Sequence, residues 1–446
     1  MLRRHVEERL RRALNATPVV LLTGPRGAGK STLARALAAG ERSFRALSLD
    51  DPLDLAAAAR DPRAVAAAGG LFVRDVPERL PALADAVAAE VARDETPGRF
   101  LLTASVVGPA LRALVARLGE RAATVPLSPL SAGELAGERE GFVDALFAPD
   151  ARLRAAAGPA PGDLAGRLVR GGFPGLDSPG PHDRAAFLGD RLGAVLERDV
   201  RAVAHLETLA ELPRLLAAAV ASSGGSASFA ELARAAGLPQ TTVKRHLGLL
   251  EATFLLHRVP AWDGGRTVRA PRLVPADSGL ACHLLRLDPA RLAADPAELA
   301  GLLPAYVLGE LARQASWGPG EVRLSHFATY GGDAVDGVLE DAAGRLAAVS
   351  VCPREAATPR DARGLAALAR LAGERFRRGV VLHLGEGTAE LGDGLVAMPL
   401  AALWTPSSPR PLARPLAPAV EPPGAAAQPR APVRTSGCIW DPGAGW

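Results

Sequence analysis

The chain has 446 residues, of which 48% are hydrophobic but only 4% aromatic, and its net charge at neutral pH is +4. This length exceeds what one hydrophobic core normally organises, so we expect about three domains. The charge is compatible with occasional contact with nucleic acid but excludes a dedicated DNA coat protein.

The composition also indicates the compartment. The three cysteines, Cys282, Cys352 and Cys438, are widely spaced and form no CxxC, so neither a disulfide framework nor a zinc site is indicated. The first residues, MLRRHVEERLRRAL, predict an amphipathic helix and lack the apolar core of a signal peptide. No apolar run of about 18 residues follows. We therefore expect a cytoplasmic protein that does not cross a membrane.

The stretch GPRGAGKST has the spacing of a phosphate-binding loop. It follows the apolar run 19–23 and precedes the helical run 33–39, so the context is strand, glycine-rich loop and helix. In such a loop the backbone amides cradle phosphates, Lys30 reaches the β and γ phosphates, and Ser31 ligates Mg²⁺. The chain has only two lysines, Lys30 and Lys244, which favours a required point charge at position 30. The pattern predicts an ATP and Mg²⁺ site made of Gly24, Pro25, Arg26, Gly27, Ala28, Gly29, Lys30, Ser31 and Thr32.

From position 19 to 127, strand-like runs alternate with helical ones, which predicts a parallel sheet covered by helices. Ligands lie at the carboxyl ends of such strands. The residues to examine there are Asp50, Asp51, Asp75, Thr103, Ser105 and Arg121. Asp75 is the candidate Mg²⁺ carboxylate, although no second acid follows it. Asp50 and Asp51 are better explained as helix caps, and Thr103 and Ser105 either contact a γ-phosphate or simply close a strand.

A helix-turn-helix pattern follows the helical run 184–205. Residues 228–233 predict one short helix, 237–239 a turn and 240–250 a second helix. On the second helix Lys244 and Arg245, with Gln240 and Thr241, are suited to a DNA groove. The alternative is a winged helix used only for packing. Beyond 303 the pattern becomes α/β again, and the proline-rich residues 405–446 predict a disordered tail.

The chain resembles the prokaryotic AAA-superfamily ATP-binding proteins that carry a C-terminal domain of unknown function. The similarity covers residues 1 to 404 and includes, in the family's order, GPRGAGKSTLA, SLDDP, PERLPAL, GRFLLTAS, LSPLSAGEL, RGGFP, LERDV, LLEATFLL, ADSGLACHLL and GRLAAVSV. It implies an α/β protein with an AAA-type P-loop domain (1–135), a helical region with a winged helix (136–302) and a restriction-endonuclease-like domain (303–404), which the proline-rich tail (405–446) follows.

The resemblance also assigns individual positions. Arg121 lies where the family has an arginine facing a nucleotide, and alignment on PERLPAL places the family's paired acids at Leu71 and Phe72. In the C-terminal domain, Glu310 and Asp336 look like surviving metal-binding acids. The positions similar to the family's Glu-x-Lys are Ser350 and Cys352, so we expect no nuclease activity.

Two functions follow from these patterns. The first is an AAA-type ATP-binding protein that acts as a nucleotide-dependent switch or a weak ATPase with a degenerate acidic motif. The alternative is a DNA-associated regulator that acts through its winged helix and retains a vestigial P-loop. The partners expected are a nucleoside triphosphate and, through Lys244 and Arg245, weakly bound DNA, without a membrane.

Overall fold

A computed structural model describes residues 2–40, 45–74, 79–148, 153, 161–176, 180–204, 209–223, 225, 228–264 and 270–406. Asp75 and residues 407–446, for which a catalytic acid and a disordered tail are expected, lie outside these ranges.

The first unit is a five-stranded sheet in which every strand is parallel to its neighbours, in the order β2-β3-β4-β1-β5. Alternate residues of the central strand face opposite sides, and each side has its own apolar core. Its elements are α1 (Glu7–Ala16), β1 (Val19–Thr23), α2 (Lys30–Gly40), β2 (Arg45–Ser48), α3 (Pro52–Arg60), α4 (Pro62–Ala67), β3 (Leu71–Arg74), α5 (Pro81–Val91), β4 (Phe100–Ala104), α6 (Pro109–Leu118) and β5 (Ala122–Pro126).

The middle of the chain is mainly helical. The helix predicted at 184–205 begins earlier and is interrupted by a π-helical turn at Val195–Asp199. The two strands of a small antiparallel sheet, β6 and β7, were not assigned to residues from the sequence. The elements are α7 (Ala132–Ala136), α8 (Phe142–Phe147), α9 (Pro161–Arg170), α10 (Pro181–Ala194), α11 (Val200–Val203), α12 (Glu211–Ala221), α13 (Phe229–Ala236), α14 (Gln240–Ala252), β6 (Leu256–Val259), β7 (Arg272–Pro275), α15 (Ser278–Leu284) and α16 (Pro289–Ala294).

Local sequence explains the two helices α13 and α14. Ser228 and Glu231 form a reciprocal capping box that starts α13, and Gly237 ends it at a φ of 66°. Val243, Leu247 and Leu250 of α14 are fully buried and pack in the main core. The helix, turn and helix therefore lie where the sequence predicts them.

The C-terminal unit is a mixed six-stranded sheet with the order β12-β13-β11-β10-β9-β8. The long helix α17 packs against it on the side of the main core, and α18 packs against it in a separate core. The elements are α17 (Pro296–Trp317), β8 (Val322–Ala328), β9 (Ala334–Asp341), β10 (Leu346–Cys352), α18 (Arg363–Ala372), β11 (Phe376–His383), β12 (Ala389–Gly392) and β13 (Leu395–Pro399).

The expected fold class, a parallel P-loop sheet followed by helices and a second α/β unit, is confirmed. One apolar core runs from α8 through the middle helices to the C-terminal sheet, and the expected boundary between 302 and 303 falls inside α17. The domain limits thus stay predictions. Within the described ranges, no helix has both the length and the hydropathy needed to cross a bilayer.

Candidate nucleotide-binding site

The loop between β1 and α2 has the backbone of a phosphate cradle. Gly24, Gly27 and Gly29 have φ values of 150°, 84° and 99°, a region that favours glycine. A Cβ atom at Gly24 would lie 2.1 Å from the carbonyl oxygen of Leu127, so this position has no room for a side chain. Because α2 begins at Lys30, the first amide groups of this helix have no partner within the helix and are directed towards the loop.

Lys30 lies inside this loop. It is only 6% exposed, and its Nζ atom donates hydrogen bonds to the carbonyl oxygens of Gly24 (2.7 Å) and Pro25 (2.9 Å). The ammonium is thereby held at the centre of the concave backbone, where phosphate oxygens would replace the two carbonyls as acceptors. Ser31 follows and is partly exposed. The loop residues thus fit the nucleoside triphosphate that the sequence predicts.

The strand register corrects the assignment of the missing acids. Leu71 and Phe72 begin β3 and are paired with Phe100 and Leu101, the first residues of β4. Both side chains are buried, at the edge of the sheet opposite the P-loop. Since β3 reaches the P-loop edge only at its last residue, Arg74, acids at positions 71 and 72 would not meet a bound metal ion. The alignment on PERLPAL is therefore wrong in register.

The other candidate carboxylates before α3 have structural roles. The side chain of Asp51 accepts a hydrogen bond from the amide of Leu53 (2.8 Å), which confirms its prediction as a helix cap. Asp50 forms ion pairs with Arg74 (2.8 Å) and with Arg79. Neither acid is therefore placed as a free ligand for a metal ion.

Two polar residues lie at the correct edge of the sheet. Thr103 is fully buried in β4, and Ser105 directly follows that strand. β4 is the neighbour of β1, and its last residue, Ala104, is paired with Thr23, the last residue before the loop. Both hydroxyl-bearing residues thus lie beside the P-loop, as expected from the carboxyl ends of parallel strands.

Arg121 lies at the opposite edge. It directly precedes β5, and the first residue of β5, Ala122, is paired with Val19 at the start of β1. A strand of five residues, about 15 Å long, separates this level from the loop. The Arg121 guanidinium donates to the carbonyl oxygens of Leu118 (3.1 Å) and Arg117 (3.1 Å). Arg121 therefore does not face the P-loop of its own chain, which corrects the sequence interpretation for a nucleotide bound there.

Residues that are distant in the sequence contact the P-loop. Arg26 forms a two-pronged ion pair with Asp199 of the π-helical turn, with Nε to Oδ2 at 2.9 Å and Nη2 to Oδ1 at 2.6 Å. Arg191 of α10 donates to the carbonyl oxygen of Arg26 (3.1 Å). Its guanidinium also stacks on Phe187, with a distance of 4.3 Å from Cζ to the ring centroid. Burial and the nearby charge of Arg26 lower the pKa of Arg191.

Sequence reasoning missed this contact because 173 positions separate Arg26 from Asp199. The motif LERDV contains Asp199, but the sequence alone assigns this residue no role. Arg4 was also missed. It is 6% exposed and donates to the carbonyl oxygen of Ala28 (2.7 Å), to that of Ser128 (2.6 Å) and to Glu134 (3.2 Å).

The acids expected in the C-terminal unit are both paired with arginines. Glu310 bonds to Arg313 (2.8 Å) and accepts from the amide of Ala132 (3.2 Å). Asp336 bonds to Arg272 (2.5 Å) and accepts from the amide of Val351 (2.8 Å). The structure thus assigns them structural roles, which corrects their interpretation as metal-binding acids. In the part of the chain that is described, no group of three or more His, Cys, Asp or Glu side chains could hold a metal ion.

Ser350 and Cys352 occupy the positions similar to the family's Glu-x-Lys. Ser350 is buried, and its Oγ has no hydrogen-bond partner among the described residues. Cys352 is buried, and its Sγ lies 3.7 Å from the carbonyl oxygen of Ala356. Neither side chain supplies the acid or the lysine of the Glu-x-Lys motif.

The predicted DNA-contacting residues share an exposed side of α14. Gln240, Thr241, Lys244 and Arg245 are all exposed, whereas Val243 is buried. The structure therefore brings these four residues together at the surface.

Comparison with known proteins agrees with the P-loop geometry. Residues 16–136 match an AAA domain, residues 162–291 a domain of unknown function (DUF8612), and residues 301–403 another domain of unknown function (DUF4143). The chain is thus an AAA-superfamily P-loop protein with a C-terminal domain of unknown function, as the resemblance predicted.

Similar proteins occur in mycobacteria. The uncharacterized proteins Rv2008c of Mycobacterium tuberculosis and Mb2031c of Mycobacterium bovis are each 29% identical to this chain over 413 residues, which is 91% of this chain and 85% of each relative. Among solved structures, the Walker-type ATPase PABY2304 of Pyrococcus abyssi is similar over 64% of this chain and 96% of that chain, with 16% identity and a TM-score of 0.40.

Proposed function

We propose that this protein binds Mg·ATP at the P-loop and acts as a nucleotide-dependent switch. The observation that carries the proposal is the ion pair between Arg26 and Asp199, because it connects the phosphate-binding loop directly to the helical region. A loop that only held a nucleotide would not need a charged contact of this kind with a distant helix.

The residues that would hold the nucleotide are those of the loop itself. The amides at the start of α2 bind phosphate oxygens, Lys30 neutralises the β and γ phosphates, and the Ser31 hydroxyl ligates Mg²⁺. When bound, Mg²⁺ neutralises the charge on the terminal phosphates. Asp75 follows β3 in the sequence and is the candidate second metal ligand, outside the described residues. The proposed site thus consists of Gly24 to Thr32 and Asp75.

The switch follows from the position of Arg26. Asp199 is 4% exposed and lies in the π-helical turn between α10 and α11, and the guanidinium of Arg26 compensates its buried charge. Phosphates bound in the loop would compete with Asp199 for the guanidinium of Arg26. Arg191 contacts the same loop, because it donates a hydrogen bond to the carbonyl oxygen of Arg26. Nucleotide binding therefore changes the contacts that hold α10 and α11. π-Helical turns often occur at functional sites, which also supports this role.

Hydrolysis is expected to be slow. Efficient phosphoryl transfer requires a group that orients the attacking water in addition to the metal ligands. Asp75 is followed by Val76, and the carboxylates of Asp50 and Asp51 are engaged elsewhere. Arg121 could stabilise transferred charge only on a nucleotide bound to another copy of the chain. We therefore propose a weak ATPase at most.

A DNA-associated regulator is the alternative function. In this case α12, α13, α14 and the β6/β7 sheet form a winged helix that binds DNA through Lys244 and Arg245. The exposed cluster on α14 favours this possibility, whereas the small number of cations limits its strength.

Hydrogen exchange of residues 181–204 with and without Mg·ATP tests the switch. We expect ATP to change amide protection in this segment of the wild type but not in Arg26→Gln, while ATP still binds both proteins. Asp183→Asn is the matched control because this exposed acid lies in the first turn of α10, at the end of the helix away from the π-helical turn. Equal protection with and without ATP in the wild type would refute the switch and leave nucleotide binding unaffected.

A further inference from the structure

A cavity of about 580 Å³ lies on the junction between the two α/β units, separate from the P-loop. Its wall comes from the segment after β5, from α9 and the following turn, from the start of α15, and from α17. None of the residues Gly24 to Thr32 lines it. Its volume falls within the roughly 300 to 1,000 Å³ typical of sites for small molecules.

Tyr306 lines this cavity, and its phenol has no hydrogen-bond partner among the described residues. Tyr306 is only 9% exposed and lines the cavity wall from α17. Its hydroxyl makes no hydrogen bond to any of the described residues, although a buried tyrosine hydroxyl usually has a partner. The cavity therefore offers one buried group that can donate to a ligand.

A guanidinium at the cavity wall complements this hydroxyl. Arg167 of α9 stacks on the ring of Trp404, with its Cζ atom 5.0 Å from the ring centroid. It forms no ion pair with any carboxylate in the described ranges, and its donors remain available at the exposed side of the cavity. Burial and the charge of Glu310 raise the pKa of Tyr306 well above its usual value, and the positive charge of Arg167 acts in the opposite direction, so the cation and the phenol lie in the same electrostatic environment.

Two of the three acids of the wall already have hydrogen-bond partners. Both oxygens of Asp277 accept backbone hydrogen bonds, from Gly172 (2.6 Å) and Leu280 (3.0 Å). Glu310 is bonded to Arg313 and to the amide of Ala132. The third acid of the wall, Asp163, is exposed.

Burial makes the two enclosed acids of the wall harder to ionise, since it raises the pKa of Glu310 to about 7 and also raises the pKa of Asp277. The wall has three arginines, Arg167, Arg170 and Arg313. Arg313 is paired with Glu310, whereas Arg167 has no carboxylate partner in the described ranges. Arg167 is thus available to an anion.

From the cavity, the partnerless hydroxyl and the stacked guanidinium, we propose that this junction binds a small organic anion whose carboxylate or phosphate is held by Arg167 and Tyr306. Stacking on Trp404 orients the guanidinium, so that less side-chain entropy is lost when it forms charge-assisted hydrogen bonds. The site is distinct from the P-loop, with which it shares no residue.

Calorimetric titration with inorganic phosphate and with benzoate tests this site. Both titrations use the Lys30→Ala protein, so that phosphate binding at the P-loop does not contribute. We expect at least one anion to bind with one-to-one stoichiometry, and we expect Arg167→Gln to weaken this binding about tenfold or more, the effect of losing one charge-assisted contact. Tyr306→Phe should weaken it several-fold, and thermal melting verifies that each variant is folded.

Arg345→Gln is the matched control. Arg345 also has its guanidinium over an aromatic ring, that of Phe147 (6.0 Å), but it does not line the cavity. Preference for phosphate or benzoate assigns the class of anion. The proposal is overturned if neither anion binds at about 10 mM, if Arg167→Gln and Tyr306→Phe leave binding unchanged, or if Arg345→Gln weakens it equally.

Discussion

Replacement of Lys30 by alanine is the most direct test of nucleotide binding. In the structure the Lys30 ammonium is buried and bonded to the carbonyl oxygens of Gly24 and Pro25. A nucleotide therefore does not gain a free cation, because the two carbonyl bonds are exchanged for bonds to phosphate. The net loss in Lys30→Ala is consequently smaller than the full strength of an ion pair.

The magnitude follows from this exchange. We expect a net loss near that of one hydrogen bond between charged groups, about 1.5 to 3 kcal/mol. Since 1.4 kcal/mol corresponds to a tenfold change, the Kd for Mg·ATP should rise about 10- to 150-fold. The substitution also leaves two carbonyl oxygens without their donor, which costs about 1 to 3 kcal/mol of stability. Affinity must therefore be measured well below the melting temperature of the variant.

Titration of purified protein with Mg·ATP provides the measurement. Lys244→Ala is the matched control, because Lys244 is the only other lysine in the chain and lies exposed on α14. The control should bind ATP like the wild type. Binding by Lys30→Ala within twofold of the wild type would refute the assignment of the loop. Absence of binding by the wild type would favour the DNA-associated alternative.

Three further outcomes are expected. ATP turnover should be well below the roughly 1 to 100 per second of kinases. Asp75→Asn should abolish this turnover and Val76→Glu should raise it. Rapid turnover that survives Asp75→Asn would mean that the catalytic carboxylate lies elsewhere. Between pH 4.5 and about 7 the folded protein holds a proton on Glu310 that the unfolded chain releases. Stability should therefore fall as pH rises through this window, and the melting temperature of Glu310→Gln relative to wild type should increase from about pH 5 to about pH 8; a constant difference would contradict the raised pKa. Any DNA binding should be weak, and substitution of Lys244 and Arg245 by alanine should reduce its salt slope by about 2; an unchanged slope would exclude contact through α14.

The P-loop and its sheet were predictable because their determinants are local. Glycine spacing fixes the loop, and apolar runs fix the strands, so β1, the loop and α2 lie where the sequence places them. The capping box of α13 was equally local. By contrast, β6 and β7 were missed because short strands of this kind are stabilised by their pairing and packing.

The assignment of acids to positions 71 and 72 failed for a different reason. A motif alignment assigns positions by spacing along the chain, whereas the edge at which a side chain lies depends on strand register. Leu71 is paired with Phe100, and this places it at the start of the strands, away from the loop. Acids introduced at positions 71 and 72 would be buried without partners, so they would destabilise the fold instead of restoring hydrolysis.

Three motifs to which the sequence alone assigned no function contact one another at one junction. In LSPLSAGEL the amide of Leu130 donates to Gly172 of RGGFP (2.7 Å), and the amide of Gly172 donates to Asp277 of ADSGLACHLL (2.6 Å). A Cβ atom at Gly172 would lie 2.1 Å from the Leu130 carbonyl oxygen, which explains why glycine is required there. Because Glu134 of the first motif also bonds Arg4, and Arg4 bonds the P-loop at Ala28, the same junction is connected to the nucleotide site. A change in the loop therefore has two physical routes to the rest of the molecule, one through Arg26 and Asp199 and the other through Arg4 and this junction.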